Sequence, residues 1–116
     1  MQYIIKRFEA KKVQENNNSQ FLDYQFPFIH ASLGISIIEG RYPQTGYDVD
    51  EQVEASWYVE KGRGIVWIAG QELNVEKGDM LYIPAGEKYW IKGENLKLIV
   101  CSSPPWYPEQ HKHIEE

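Results

Sequence analysis

Between Trp57 and Trp90 the chain reads WYVEKGRGIVWIAGQELNVEKGDMLYIPAGEKYW, and this stretch restricts the fold more than any other. Four short apolar runs alternate with four turn signals. Trp57–Val59 is followed by Lys61-Gly62-Arg63-Gly64, and Ile65–Ala69 by Gly70-Gln71. Leu73–Val75 is followed by Lys77-Gly78-Asp79, and Met80–Ile83 by Pro84-Ala85-Gly86. No helical period survives interruptions at this spacing. Runs of about 4–6 residues bounded by Gly and Pro are the pattern of antiparallel strands in a sandwich or barrel. The expectation is an all-β chain of about eight to ten strands with little helix.

The flanking segments extend the same pattern. Tyr3–Phe8 reads as a charged edge strand and Lys11–Gln14 as a second strand. Glu15–Ser19 is polar and reads as a loop, and Phe21–Ile29 is aromatic-rich with a break at Pro27. Leu33–Glu39 reads as a long strand, and Gly40–Asp50, holding Pro43 and Gly46, as a loop. A turn is expected at Lys92–Asn95, then a strand over Leu96–Ser102. Residues 104–116 form a C-terminal tail in which Pro108 is placed to open a short helix.

At 116 residues the chain is long enough for one core, so residues 1–116 are expected to form a single domain. A net charge of −5 argues against nucleic acid, whose phosphates call for clustered Lys and Arg. Arg7, Lys11 and Lys12 are the one basic concentration and read as a solvated strand face. No stretch is apolar enough to span a membrane, and the first residues hold too few apolar positions for a signal peptide. With Cys101 as the single cysteine, no internal disulfide can form. Its place in an apolar run suggests a buried, inert thiol. A cytoplasmic location is the expectation.

The segment GDMLYIPAG sets Gly78, Pro84 and Gly86 at the spacing of the second cupin motif, G-x5-P-x-G-x2-H-x3-N. Tyr58–Gly64, YVEKGRG, is similar to the end of the first, G-x5-H-x-H-x3,4-E-x6-G. Over roughly residues 32–103 the chain thus resembles a small single-domain cupin. That resemblance implies a double-stranded β-helix, the jelly-roll barrel of that superfamily, and often a homodimer. It also implies where metal ligands would stand. Carried over one at a time, the two histidines of the first motif fall on Asp48 and Asp50, its glutamate on Ala55, and the histidine of the second motif on Tyr89. All four ligands are replaced.

A shifted register, Asp48–Glu54, would keep the spacing with carboxylates alone and suit a hard cation. Strand alternation opposes it. Val53, Ala55, Trp57 and Val59 share one face, the natural inner one, and Glu54, Ser56, Tyr58 and Glu60 share the other. A one-residue slip would turn Trp57 and Val59 out to water at a cost of about 2 kcal/mol each. The reading is therefore a barrel with no metal and no cofactor. Of the three histidines, His30 reads as partly buried, and His111 and His113 as a tail pair facing solvent or standing over the barrel mouth.

What remains is an aromatic-lined barrel able to enclose one small ligand, sugar-like or planar. Asp48, Asp50, Trp57, Tyr89 and His111 are the candidate ligand-binding residues. Whether the chain is an enzyme stays open. The alternatives are a divergent isomerase or epimerase, a metal-dependent enzyme using carboxylates or tail histidines, and a structural dimerisation module. Arg41 and Arg63 are the candidates for a phosphate-bearing substrate.

Overall fold

In the computed structural model, which describes residues 3–16, 19–27 and 30–115, the expected alternation sets the inside of a barrel. Along β5 (Glu54–Ile68), Trp57 and Val59 are buried while Glu54 and Tyr58 are exposed. Glu54 therefore points out, and its Oε1 accepts a hydrogen bond from the Tyr82 hydroxyl at 3.0 Å. The slipped carboxylate register does not form.

Among the described residues, eight further strands complete one curled antiparallel sheet: β1 (Lys11–Asn16), β2 (Ser19–Tyr24), β3 (Ser32–Tyr42), β4 (Tyr47–Asp50), β6 (Gln71–Glu76), β7 (Met80–Ile83), β8 (Tyr89–Ser103) and β9 (His111–Ile114). The two longest strands, β5 and β8, pair along most of their length. β8 carries β3 on its other edge, and β3 carries β2 and β1. The first half of β5 pairs with β7 and the second half with β6.

Midway, β5 and β8 turn a corner. The register shifts between Val59 and Arg63, and the inward positions change parity, from Trp57 and Val59 to Val66 and Ile68. Bulges of this kind bend a strand and re-aim its side chains. Gly62 sits at the bend with φ +78°, and a Cβ there would collide with the Asn95 carbonyl. Glycine is the residue this approach admits. Leu96, Leu98 and Val100 from β8, Ile38 from β3, and Ile83 and Leu81 from β7 fill the core beneath.

Several expectations are corrected. Tyr3–Phe8 forms no strand; residues 3–6 carry no regular element and lead into a 3-10 turn at Arg7–Glu9, where the Lys6 backbone N–H donates to Glu9 Oε1. Part of the Gly40–Asp50 loop is strand, because β3 runs on to Tyr42 and β4 begins at Tyr47. Lys92–Asn95 is a bulge inside continuous β8, where Asn95 takes φ +52° in place of a chain-reversing turn. Strand β1 reaches Asn16 and β2 starts at Ser19, so the expected loop shrinks, with Asn17 and Asn18 outside the described residues. Strand β2 ends at Tyr24, well short of Ile29, which together with Phe28 lies outside the described residues. His30 is exposed, since it lies before β3 and not within it. Cys101 is exposed as well: on β8 it has the outward parity, between inward Val100 and Ser102. His111–Ile114 is not a solvent-facing tail but strand β9, paired with β4.

Candidate functional site

The pairing of β4 with β9 builds the site. Asp48 stands opposite His113, and Asp50 opposite His111. On its other edge Asp48 stands opposite Tyr89 of β8. Alternate residues of a strand share a face, so this register gathers two carboxylates and two imidazoles on one side. The D-V-D of β4 and the H-K-H of β9 are complementary patterns at the same period of two.

The contacts are short. The His111 Nδ1 lies 2.8 Å from Asp50 Oδ1, and its Nε2 lies 2.9 Å from Asp48 Oδ2. The His113 Nδ1 lies 2.8 Å from Asp48 Oδ1, and its Nε2 lies 2.6 Å from Glu115 Oε2. A carboxylate can only accept, so both nitrogens of His111 must donate, and the ring is an imidazolium. Burial pulls its pKa down, but the hydrogen bonds to Asp48 and then Asp50 outweigh that and push it up to about 10. Burial acts to raise the pKa of Asp48, which is 3% exposed, yet hydrogen bonds from His111, Tyr42 and His113 hold it below the usual carboxylate range. Hydrogen bonds to Asp48 and Glu115 raise His113, which is far more open to solvent.

Asp50 is the hub on the cavity side. Its Oδ1 accepts from His111, from Gln110 Nε2 at 2.8 Å and from Trp106 Nε1 at 3.2 Å. Its Oδ2 takes the Tyr89 hydroxyl at 3.5 Å, a long contact that leaves acceptor capacity for another donor. Tyr89 meets Trp57 edge-on with ring centroids 5.1 Å apart, and Trp106 packs on Phe21 at 5.6 Å and on His111 at 5.8 Å. These groups enclose a cavity of about 50 Å³, lined on its polar side by Asp50, Tyr89, His111 and Tyr42 and elsewhere by Trp57, Ile91, Leu98, Val100 and Trp106.

Of the five residues expected at the site, Asp50, Trp57, Tyr89 and His111 line this cavity. Asp48 lies behind them, bonded to His111. Val59, expected to face the cavity, is buried but is not among its lining residues. Arg41 and Arg63 are elsewhere. Arg41 donates to the carbonyls of Pro43 and Gly46 and stacks over Trp90 at 4.9 Å, and Arg63 pairs with Glu94. Neither supplies a phosphate anchor to the cavity.

Gln110 is a residue that the sequence pattern left unremarked. It is 3% exposed, its Oε1 accepts from the backbone N–H groups of Gln52 and Val53 at 3.1 and 3.2 Å, and its Nε2 reaches Asp50. Its one sequence signal is its place in the 3-10 turn Pro108–Gln110, directly ahead of β9.

The chain belongs to the cupin family: the cupin domain model matches residues 38–100. An uncharacterised protein of Methanocaldococcus jannaschii is 32% identical over 65 residues, covering 53% of this chain and 52% of that protein, so the match spans about half the relative's length. Among solved structures, Streptomyces Pac13, described as a nucleoside dehydratase, superposes with a TM-score of 0.85 at 12% identity over 99% of this chain and 92% of that one. Ectoine synthase from P. lautus superposes with a TM-score of 0.73 at 14% identity, covering 97% and 90%. KdgF from Halomonas gives 0.68 at 14% identity, covering 90% and 94%. At these identities the likeness is one of fold.

Many cupins hold a metal with three histidines and a glutamate. The residues here do not fit one. Ala55 has no donor atom, and both Asp48 oxygens and Asp50 Oδ1 are engaged with histidines. Both His111 nitrogens are engaged with carboxylates, so a metal there would have to displace a proton and a short hydrogen bond. Among the described residues no group of three or more His, Cys, Asp and Glu is arranged to hold a metal ion.

Proposed function

We propose that the protein binds a small, hydroxyl-bearing organic molecule, sugar-like or planar, at the mouth of its barrel without a metal ion. The observation that carries this reading is the Asp50 carboxylate. It is fixed by three donors on one oxygen, while the other takes the long Tyr89 contact, and the residue lines the cavity with Tyr89, Trp57 and Trp106. Fixed acceptors among aromatic faces suit hydroxyl groups and flat rings. The cavity of about 50 Å³ is smaller than a sugar ring, at about 10–15 Å³ for each enclosed water. Such a ligand enters when Trp106 yields, because among the described residues it is the one aromatic wall carried outside the strands.

A second reading has support from the cluster's acid–base character. An imidazolium held between two carboxylates, with two phenols adjacent, can protonate a hydroxyl as its C–O bond breaks, while the Asp50 carboxylate takes the proton from the neighbouring carbon as the double bond forms. Pac13, similar in fold, is described as a nucleoside dehydratase and has been solved with uridine. A metal-free elimination or isomerisation is the catalytic form of the same proposal.

Thermal unfolding in the presence of nucleosides, hexoses and pentoses tests both. A ligand at a hundredfold excess over its Kd adds about 2.7 kcal/mol. That shift should vanish in Asp50→Asn and shrink in Tyr89→Phe. No shift across these classes, or an equal shift in Asp50→Asn, would contradict the binding site. Turnover of a stabilising ligand would select the enzyme.

The protein is further proposed to work as a homodimer in the cytoplasm. Supporting the dimer is an outer sheet face on which Tyr58, Met80, Tyr82 and Leu33 are exposed on neighbouring strands.

A further inference from the structure

Outside the barrel cavity, a groove of about 470 Å³ runs between the N-terminal segment and the Trp106–Pro108 segment. Asp23 lines it from β2. By alternation Asp23 is an inward position, two residues on from core Phe21, and it is 7% exposed. A carboxylate there is costly unless something answers it.

The answer within the chain is half complete. Asp23 Oδ2 accepts from Gln25 Nε2 at 2.6 Å, and the same amide donates to the Trp106 carbonyl at 2.7 Å. That bridge fixes the carboxylate against the wall of the groove. Asp23 Oδ1, also withdrawn from water, has no hydrogen-bond partner among the described residues. Lys11 stands opposite on β1, yet it does not hydrogen bond this oxygen. Burial raises the Asp23 pKa, with Gln25 and Lys11 opposing only in part. Trp106, Tyr107 and Pro108 supply an aromatic and apolar side to the same groove.

We propose that this groove is a second binding site, taking a small organic amine whose ammonium group pairs with the Asp23 carboxylate while its apolar body lies along Trp106 and Tyr107. Trp106 walls both this groove and the barrel cavity, but the proposal stands on Asp23 and does not depend on what the barrel holds.

Benzylamine, followed by two-dimensional NMR at the Trp106 indole and the Gln25 side-chain amide, is the probe, with benzyl alcohol as its uncharged counterpart. Saturable shifts with benzylamine, and binding weaker by about tenfold or more with benzyl alcohol, are expected. Asp23→Asn keeps the shape, removes the charge, and should weaken benzylamine by a similar factor. Lys11→Gln removes the competing cation and should tighten it. Equal response to the two probes, unchanged benzylamine binding in Asp23→Asn, or no shift in both the wild type and Lys11→Gln would overturn the proposal. Should Asp23→Asn fail to fold, the two-probe comparison and Lys11→Gln still decide.

Discussion

Asp48 is the residue on which the site's charge balance turns. Its carboxylate, 4% exposed as a side chain, takes a hydrogen bond from each of two imidazoles. Its pKa is depressed, so its contribution to stability is present above the unfolded value near 3.8 and is lost as pH falls through the lower folded value. His111 has the opposite sign. Its folded pKa of about 10 exceeds the unfolded 6.5, so its contribution is complete below 6.5 and is lost as pH rises toward 10. The cluster is therefore strongest between about pH 4 and 6.5. Asp48→Asn should cost about 3 kcal/mol at pH 6, since it leaves the imidazolium half paired. It should also flatten the loss of stability between pH 7 and 10. Urea unfolding across this range measures both, and an unchanged alkaline limb in the variant would contradict the pairing.

The element that makes the site is β9 with the 3-10 turn ahead of it. Strand β4 alone would leave Asp48 and Asp50 as loop carboxylates; β9 supplies the register that pairs them with His111 and His113. Gln110 pins that arrangement by closing two backbone amides at Gln52 and Val53 and donating to Asp50. Gln110→Ala should destabilise by about 1–3 kcal/mol, the cost of unsatisfied buried amides. It should also raise hydrogen exchange at Val53. Exchange there as slow as in the parent protein would mean that the turn is held by other contacts. Gln110 could not be assigned its role from the sequence because Pro108 marks only a turn there, not a side chain that bonds across 57 residues. The barrel strands could be read because each carries its own alternation and its own turn. Trp57 inward and Glu54 outward followed from parity alone. The tail pattern leaves His111 either solvent-facing or over the barrel mouth, and its partners are not legible, because β9 is only four residues long and its pairing with β4 is a tertiary fact.

At the scale of the whole molecule, the inner and outer faces of one curled sheet have different work. The inner face ends in a polar cluster at one mouth. The outer face exposes Met80 at 68%, Tyr82 at 60% and Leu33 at 45%, with Cys101 beside Leu33. The proposed dimer buries this face. Sedimentation equilibrium should give twice the chain mass, and Met80→Glu should return it to one; a monomer at all concentrations would remove the dimer from the account. The same division explains why the cupin resemblance was readable while the chemistry was not. The motif glycines and proline shape the barrel and stand in the sequence, whereas the ligand positions hold Asp48, Asp50, Ala55 and Tyr89, of which the two aspartates bond His111 and Tyr89 meets Asp50.

That arrangement is the central claim: an imidazolium bridging two carboxylates stands where the family can hold a metal. The most direct test is 15N NMR of the histidine rings in protein purified without a histidine tag, with zinc and then a chelator added. His111 should show two protonated nitrogens through pH 8, unaltered by either addition. A neutral ring titrating near 6.5, or a His111 nitrogen that shifts on one equivalent of zinc, would contradict it.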